Sequence, residues 1–353
     1  MTKNFKLGSL ASAVKAWIRG WSAALVLLLL SAPQVSAATI SVTNAADSGA
    51  GSLRAAIASA ANGDTINFDL TYPATITLIT PLTLGSSVTI TGPGASNLSI
   101  SGALSVGVLI VNTGITVQIS GVTLTQGASG LGGCILNTGT LTLTNTIVTG
   151  CKNFAELGGG ILNAGTAATL NLSGSTVTGN FTGSCDSTTI LGAGGGIFNY
   201  LGAVTLTDST VSNNITMGGP DAASNGCLGE GSFYGWGGGG GGIFNFDGNI
   251  ALNKSTVSGN QSSYGGGVYN GGTGTLNLIN STVAGNLAGA GGGGIENDSS
   301  FAIVSFSTIS GNYAFSNPDL NPVSLNLPST GSGGGSCCIY VYSDASGGGA
   351  ISN

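Results

Sequence analysis

The chain contains no histidine. That excludes histidine-dependent acid–base chemistry and removes the commonest metal ligand. Charge is almost as scarce, with seven basic and 13 acidic residues making up 6% of 353 positions. Four of the seven cations, Lys3, Lys6, Lys15 and Arg19, fall in the first 19 residues. From residue 38 onward only Arg54, Lys152 and Lys254 oppose 13 acids, a net charge of −10. Nucleic-acid binding needs a basic face to neutralise phosphates, and three scattered cations cannot build one. Proline is limited to eight residues and no G-X-Y period occurs, which excludes collagen. Disorder is excluded by the opposite excess: 41% of residues are apolar and the mean hydropathy is +0.39.

What is abundant is glycine, at 64 residues more than twice the usual ~7%. Together with Ser, Thr, Asn and the aliphatics it points to short strands and tight turns. The N-terminus reads as a secretory signal over residues 1–37. A basic stretch precedes an apolar core, Trp21 to Leu30, and then the small-residue site Val35-Ser36-Ala37, with the cut expected after Ala37. The competing reading is an uncleaved anchor, but ten apolar residues are short for a membrane span. No later stretch is expected to cross a bilayer as a helix. Six cysteines lie beyond the signal. Export permits disulfides, and the long, apolar chain does not require a disulfide framework. Without histidine or a C-x-x-C pair, no metal site is expected, nor is any cofactor.

The strongest signal is an internal repeat. Six copies span Gly132–Cys151, Gly158–Asn180, Gly194–Asn214, Gly240–Asn260, Gly265–Asn286 and Gly292–Asn312. Each opens Gly-Gly-Gly-Ile-x-Asn and closes on a pattern like Ser-Thr-Val-Ser-Gly-Asn. Cys134 takes the third glycine place of the first copy, and Val268 the Ile place of the fifth. Within copies the side chains alternate, as in Val204-Thr205-Leu206-Thr207, the period of a strand. A repeat of ~21 residues with about three short strands is one coil of a parallel β-helix. We therefore expect an all-β, single-stranded, right-handed parallel β-helix of about eleven coils with a short N-terminal capping helix, Ser52–Ala61. Residues 38–131 form the cap and first coils, and 132–353 the Gly-Gly-Gly-Ile-x-Asn coils, the last of them incomplete.

Stacking makes rows. The motif aliphatics Ile135, Ile161, Ile197, Ile243, Val268 and Ile295 should point inward. The asparagines two places on, Asn137, Asn163, Asn199, Asn245, Asn270 and Asn297, share that parity and are expected to form an amide ladder satisfying turn backbone. The glycine run 237–242 lacks the Gly-Lys-Ser/Thr of a phosphate loop. A seventh copy starts at Gly347 and stops at Asn353. Solenoid ends need covering. The expectation is a continuation or partner at that end, or a fold-back of the 34-residue insertion 313–346.

The stretch Asp47-Ser-Gly-Ala-Gly-Ser-Leu-Arg54-Ala-Ala-Ile57 resembles the N-terminal module of bacterial secreted β-helix proteins, whose core often reads Cys-Ser-Leu-Arg-Glu-Ala. Here Gly51 stands for the Cys and Ala55 for the Glu. The later copies are similar to the repeats of chlamydial polymorphic outer-membrane proteins, with Val or Ile where those carry Phe, as in Val177–Asn180. Together the resemblances imply a pectin-lyase-like β-helix and a secreted, cell-surface or outer-membrane-associated location.

That fold also houses polysaccharide lyases and glycoside hydrolases. The weak enzyme candidates are Glu296 and Asp298, flanking Asn297 on one strand about 7 Å apart, a spacing compatible with glycoside hydrolysis. The blander reading is a pair of solvated surface acids. Exposed aromatics are the better lead. Phe198, Tyr200, Phe244 and Phe246 share an outward parity on adjacent coils, and Trp236 lies in a neighbouring loop. They serve either as a platform for loops or as a ligand surface. Insertions of 13, 25 and 34 residues all fall at one corner of the coil. Cys185 and Cys227, in two of them, are a disulfide candidate. The favoured reading is a non-enzymatic, adhesin-like or structural protein binding glycans or host or neighbour surface molecules; the alternative is a polysaccharide-acting enzyme.

Overall fold

The computed structural model describes residues 37–154, 157–183, 192–217, 238–289, 291–298 and 300–314, with the backbone of 339–342. The chain divides into two units between Ala37 and Ala38, and all the described strands lie in the second. Short strands follow one another around a closed path, and each pairs in parallel with its counterpart one turn later. The result is a parallel β-solenoid of about nine turns.

Three long sheets run along the axis, with eleven, nine and eight strands. Eleven coils were expected. The longest sheet gains a strand at each end from an incomplete turn, Thr39–Val42 before the helix and Ile339–Tyr342 at the far end. The latter falls inside the insertion 313–346, for which a fold-back was one expectation, and it pairs with Phe301–Ser305. A fourth sheet was not anticipated. Six strands of two or three residues, from Lys152–Asn153 to Tyr313–Ala314, follow the end of each copy. They lie in the spans of variable length between copies, where two or three residues give no readable period.

Register is set by the repeat. The row Ile135, Ile161, Ile197, Ile243, Val268 and Ile295 is paired position for position and buried. Leu141, Leu170, Val204, Ile250 and Leu276 make a second row, and Val148, Val177, Val211, Val257 and Val283 a third. These inward rows form one continuous core. On the eleven-stranded sheet the outward positions are mostly Thr, Ser and Asn, as in Thr169–Ser173 and Ala203–Thr207, so these strands alternate.

Glycine shapes the corner that opens each copy. Gly158 and Gly240 have φ of 71° and 60°, and a Cβ there would lie 2.5 and 2.3 Å from the carbonyl oxygens of Ile161 and Ile243. Positive φ and a close backbone approach both demand the missing side chain.

The helix spans Leu53–Ser59, a residue or two shorter at each end than expected. Ser52 is its N-cap, its Oγ accepting from the Ala55 amide at 3.2 Å. Leu53 and Ala56 face inward. Arg54 ties the helix down by pairing with Asp47 at 2.6 Å and donating to the Thr80 and Pro81 carbonyls at 2.6 and 3.0 Å. Its guanidinium, hydrogen-bonded to the carboxylate, holds Asp47 below the usual carboxylate range.

Candidate functional site

Three outward rows on the eight-stranded sheet and its border build a groove. The first row precedes each glycine corner: Leu131, Leu157, Ala193, Gly239 and Tyr264, linked by single parallel bridges. The second is Leu162, Phe198, Phe244 and Tyr269. The third is Ala164, Tyr200 and Phe246. Between them lies an almost wholly apolar groove of about 630 Å³.

The rings are stacked because the turns are. Phe198 and Phe244 lie 5.1 Å apart at an interplanar angle of 10°, and Phe244 and Tyr269 4.6 Å apart at 6°. Tyr200 and Phe246 stack at 6.3 Å and 22°. Each such pair contributes about 0.5–1.5 kcal/mol beyond its buried area. Two glycines make room: a Cβ on Gly239 would meet the Phe244 ring at 2.6 Å, and one on Gly271 the Tyr269 ring at 2.6 Å.

Exposure is uneven along the file. Tyr200 and Phe246 are open to solvent at 42% and 39%. Phe198, expected in an exposed patch, is only 6% exposed. It packs with Leu162 and Ala193 in a small apolar cluster outside the main core, flanked by Leu157 and Phe244. Parity fixed its outward direction, but the row before the glycine corner covers it. The signal for that row was available, since Leu131, Leu157 and Ala193 each stand one place before a copy begins. Trp236 lies outside the described residues, as do Cys185 and Cys227.

The aromatic file ends on the two acids. One turn after Tyr269, the same row carries Glu296, and Asp298 follows on the strand. Asp298 is exposed and accepts from the Tyr269 hydroxyl at 2.9 Å. Glu296 is half-buried rather than solvated, because its carboxylate turns back to accept the Gly292 amide. Burial raises its pKa and the charge of Asp298 adds to that, against the opposing Gly292 hydrogen bond. Burial, then the bond to Asp298, also pushes the Tyr269 hydroxyl upward. Among the described residues no three Cys, Asp or Glu side chains gather as a metal-binding set. No described helix is long and apolar enough to cross a membrane.

Beneath this surface run the amide rows. Asn137, Asn163, Asn199, Asn245 and Asn270 each donate from Nδ2 to the next turn's asparagine Oδ1, at 2.6–2.7 Å, ending on Asn297. The same amides hold turn carbonyls, as Asn245 does Gly248 at 2.8 Å. A second ladder was missed. Asn180, Asn214, Asn260 and Asn286, closing residues of the copies, each donate from Nδ2 to the next closing asparagine's Oδ1 at 2.9–3.0 Å, ending on Asn312. A disulfide, Cys134–Cys151, was missed too. Its signal was that the first copy carries cysteine at the third-glycine place and at the closing-asparagine place.

No family model matches the chain, and no curated protein matches it.

Proposed function

We propose that the chain is a secreted or cell-surface β-helix protein, adhesin-like and non-enzymatic, that binds glycans in its aromatic groove. One observation carries the reading: Phe198, Phe244 and Tyr269 stack in one file across three turns, with Tyr200 and Phe246 exposed beside them. The stacked rings turn their apolar edges into the groove, and an apolar cleft of this kind suits the C–H faces of sugar rings. An exposed apolar surface of this kind on a rigid rod marks an interaction site. The leader-like residues 1–37 support export. So does the Cys134–Cys151 disulfide, which needs an oxidising destination to persist. The resemblance to bacterial surface repeats, the right hand of the helix and outer-membrane association belong to this proposal.

A second reading, a polysaccharide-acting enzyme, has one observation in its favour. Glu296 and Asp298 sit at the end of the groove, and burial favours the protonated form of Glu296 as a general acid requires. Its carboxylate, however, is turned onto the Gly292 amide. The test pairs a glycan array with turnover assays on acidic polysaccharides. Retention of glycans without reducing-end release or unsaturated product supports the first reading. Product formation that Glu296→Gln abolishes replaces it with the second.

A further inference from the structure

At the end of the solenoid where the chain enters, a carboxylate occupies a place that belongs to a hydrophobe. Asp64 precedes the Thr65–Thr89 pair by one residue, so its counterpart in the next turn is Val88, followed by Val117, Leu141 and Leu170. All four are core residues. Asp64 is itself only 5% exposed. Burying a carboxylate in an apolar row is costly unless it is hydrogen-bonded and paired with a cation. The hydrogen bonds are present: Ala38 N donates to Oδ1 at 2.7 Å and Ala61 N to Oδ2 at 2.9 Å. No ion pair to Asp64 occurs among the described residues, and Arg54 is committed to Asp47. Ala38 is also the residue that follows the small-residue site Val35-Ser36-Ala37.

We infer that Asp64 is the receptor for the α-ammonium of Ala38, created when the leader is cut after Ala37, so that export itself completes the end of the solenoid. The inference rests on the export reading above. The cut is a hydrolysis. Water adds to the Ala37 carbonyl, the Ala37–Ala38 C–N bond breaks, the leader leaves with the Ala37 carboxylate, and the Ala38 nitrogen gains protons to become an ammonium. The nitrogen already donates to Asp64 Oδ1, and the strand that follows is fixed by its pairing with Thr65–Phe68, so the charge forms in place. The two amide donors hold the Asp64 carboxyl below the usual carboxylate range, ionised to receive it.

The test has two separable parts. First, the mass of the exported chain must place its N-terminus at Ala38; another start overturns the export cut on which the inference stands. Second, two purified forms of residues 38–353 are compared, one beginning at Ala38 and one with a glycine before it. The pair predicts that the Ala38 form melts about 2 °C or more higher at pH 6. An ammonium whose folded pKa is raised contributes stability below its unfolded pKa of ~7.7–8.0, lost as pH rises through the folded value. The gap should therefore close in strong alkali and vanish in Asp64→Asn at every pH. Equal melting of the two forms, or a gap that survives Asp64→Asn, overturns the inference while leaving export intact.

Discussion

Cys134 and Cys151 are joined by a disulfide on the two rungs that glycine and asparagine hold in every later copy. In the next turn these rungs are Gly160 and Asn180, which lie against one another: a Cβ on Gly160 would sit 3.1 Å from the Asn180 amide. The Cys151 backbone N–H donates to Asn180 Oδ1 at 3.0 Å, so the second asparagine ladder ends on the disulfide. One pair of substitutions thus exchanges a side-chain hydrogen-bond rung for a covalent one where the regular coils begin.

Removing that bond should be more damaging than replacing the pair. Cys151→Ala is expected to cost about 2–4 kcal/mol, the usual effect of closing a loop of this size. Cys134→Gly with Cys151→Asn rebuilds the rung of the later turns and should recover roughly 1 kcal/mol through the restored hydrogen bonds. Denaturant unfolding of both variants measures this. A double variant less stable than the single one would show that the two rungs are not equivalent.

The first asparagine ladder makes a sharper demand, because it is fully buried. Asn245 accepts from Asn199 at 2.7 Å and donates to Asn270 at 2.7 Å and to Gly248 O at 2.8 Å. Asn245→Ala should cost about 2–3 kcal/mol by leaving these partners without their bonds. Asn245→Asp keeps the shape but turns a donor into a buried acceptor facing two oxygens. It should be the worse variant at pH 7 and partly recover as pH falls toward 4, when the carboxyl protonates. Thermal melts across pH check both.

Ligand binding and packing separate along the aromatic file. Tyr200→Ala and Phe246→Ala remove exposed rings, so stability should change by less than about 0.5 kcal/mol. Glycan affinity should fall roughly tenfold, or about 1.4 kcal/mol. Phe198→Ala empties a covered position and should destabilise the chain by about 3 kcal/mol. If Tyr200 and Phe246 variants bind glycans normally, the exposed rings are not the ligand surface.

Glu296 carries a pH signature. Burial raises its folded pKa above the unfolded value near 4.3, so the folded state holds its proton more tightly. At this residue stability should fall as pH rises from the unfolded pKa through the folded one. Glu296→Gln should then melt higher than wild type at pH 7 and no higher below about pH 4. A variant that melts lower at pH 7 would mean that the charged carboxylate is a net support for the Gly292 amide.

The solenoid was legible because its repeat writes every turn in the same register. Ile135 through Ile295 and Asn137 through Asn297 could be aligned by eye, and stacking follows from alignment. What escaped was written between the copies or in departures from them. Two-residue strands such as Gln261–Ser262 have no period to read. The cover over Phe198 comes from Leu157 and Ala193, which lie before the motif and vary in type. The Asn180–Asn312 ladder uses residues that close each phrase and read equally well as turn formers. The Cys134–Cys151 bond joins positions 17 apart in sequence that only the coil's closure brings to a Cα separation of 5.4 Å.

Glycan retention without cleavage in the stacked groove is the property that most needs direct measurement. Calorimetric titration of the purified exported chain with an oligosaccharide panel, run beside the same titration of Phe244→Ala, tests it most directly, with each sample then assayed for new reducing ends. Saturable binding that Phe244→Ala weakens at least tenfold, with no new reducing ends, is the expected result. Binding unchanged in Phe244→Ala, no binding to any member of the panel, or cleavage that disappears in Glu296→Gln would contradict it.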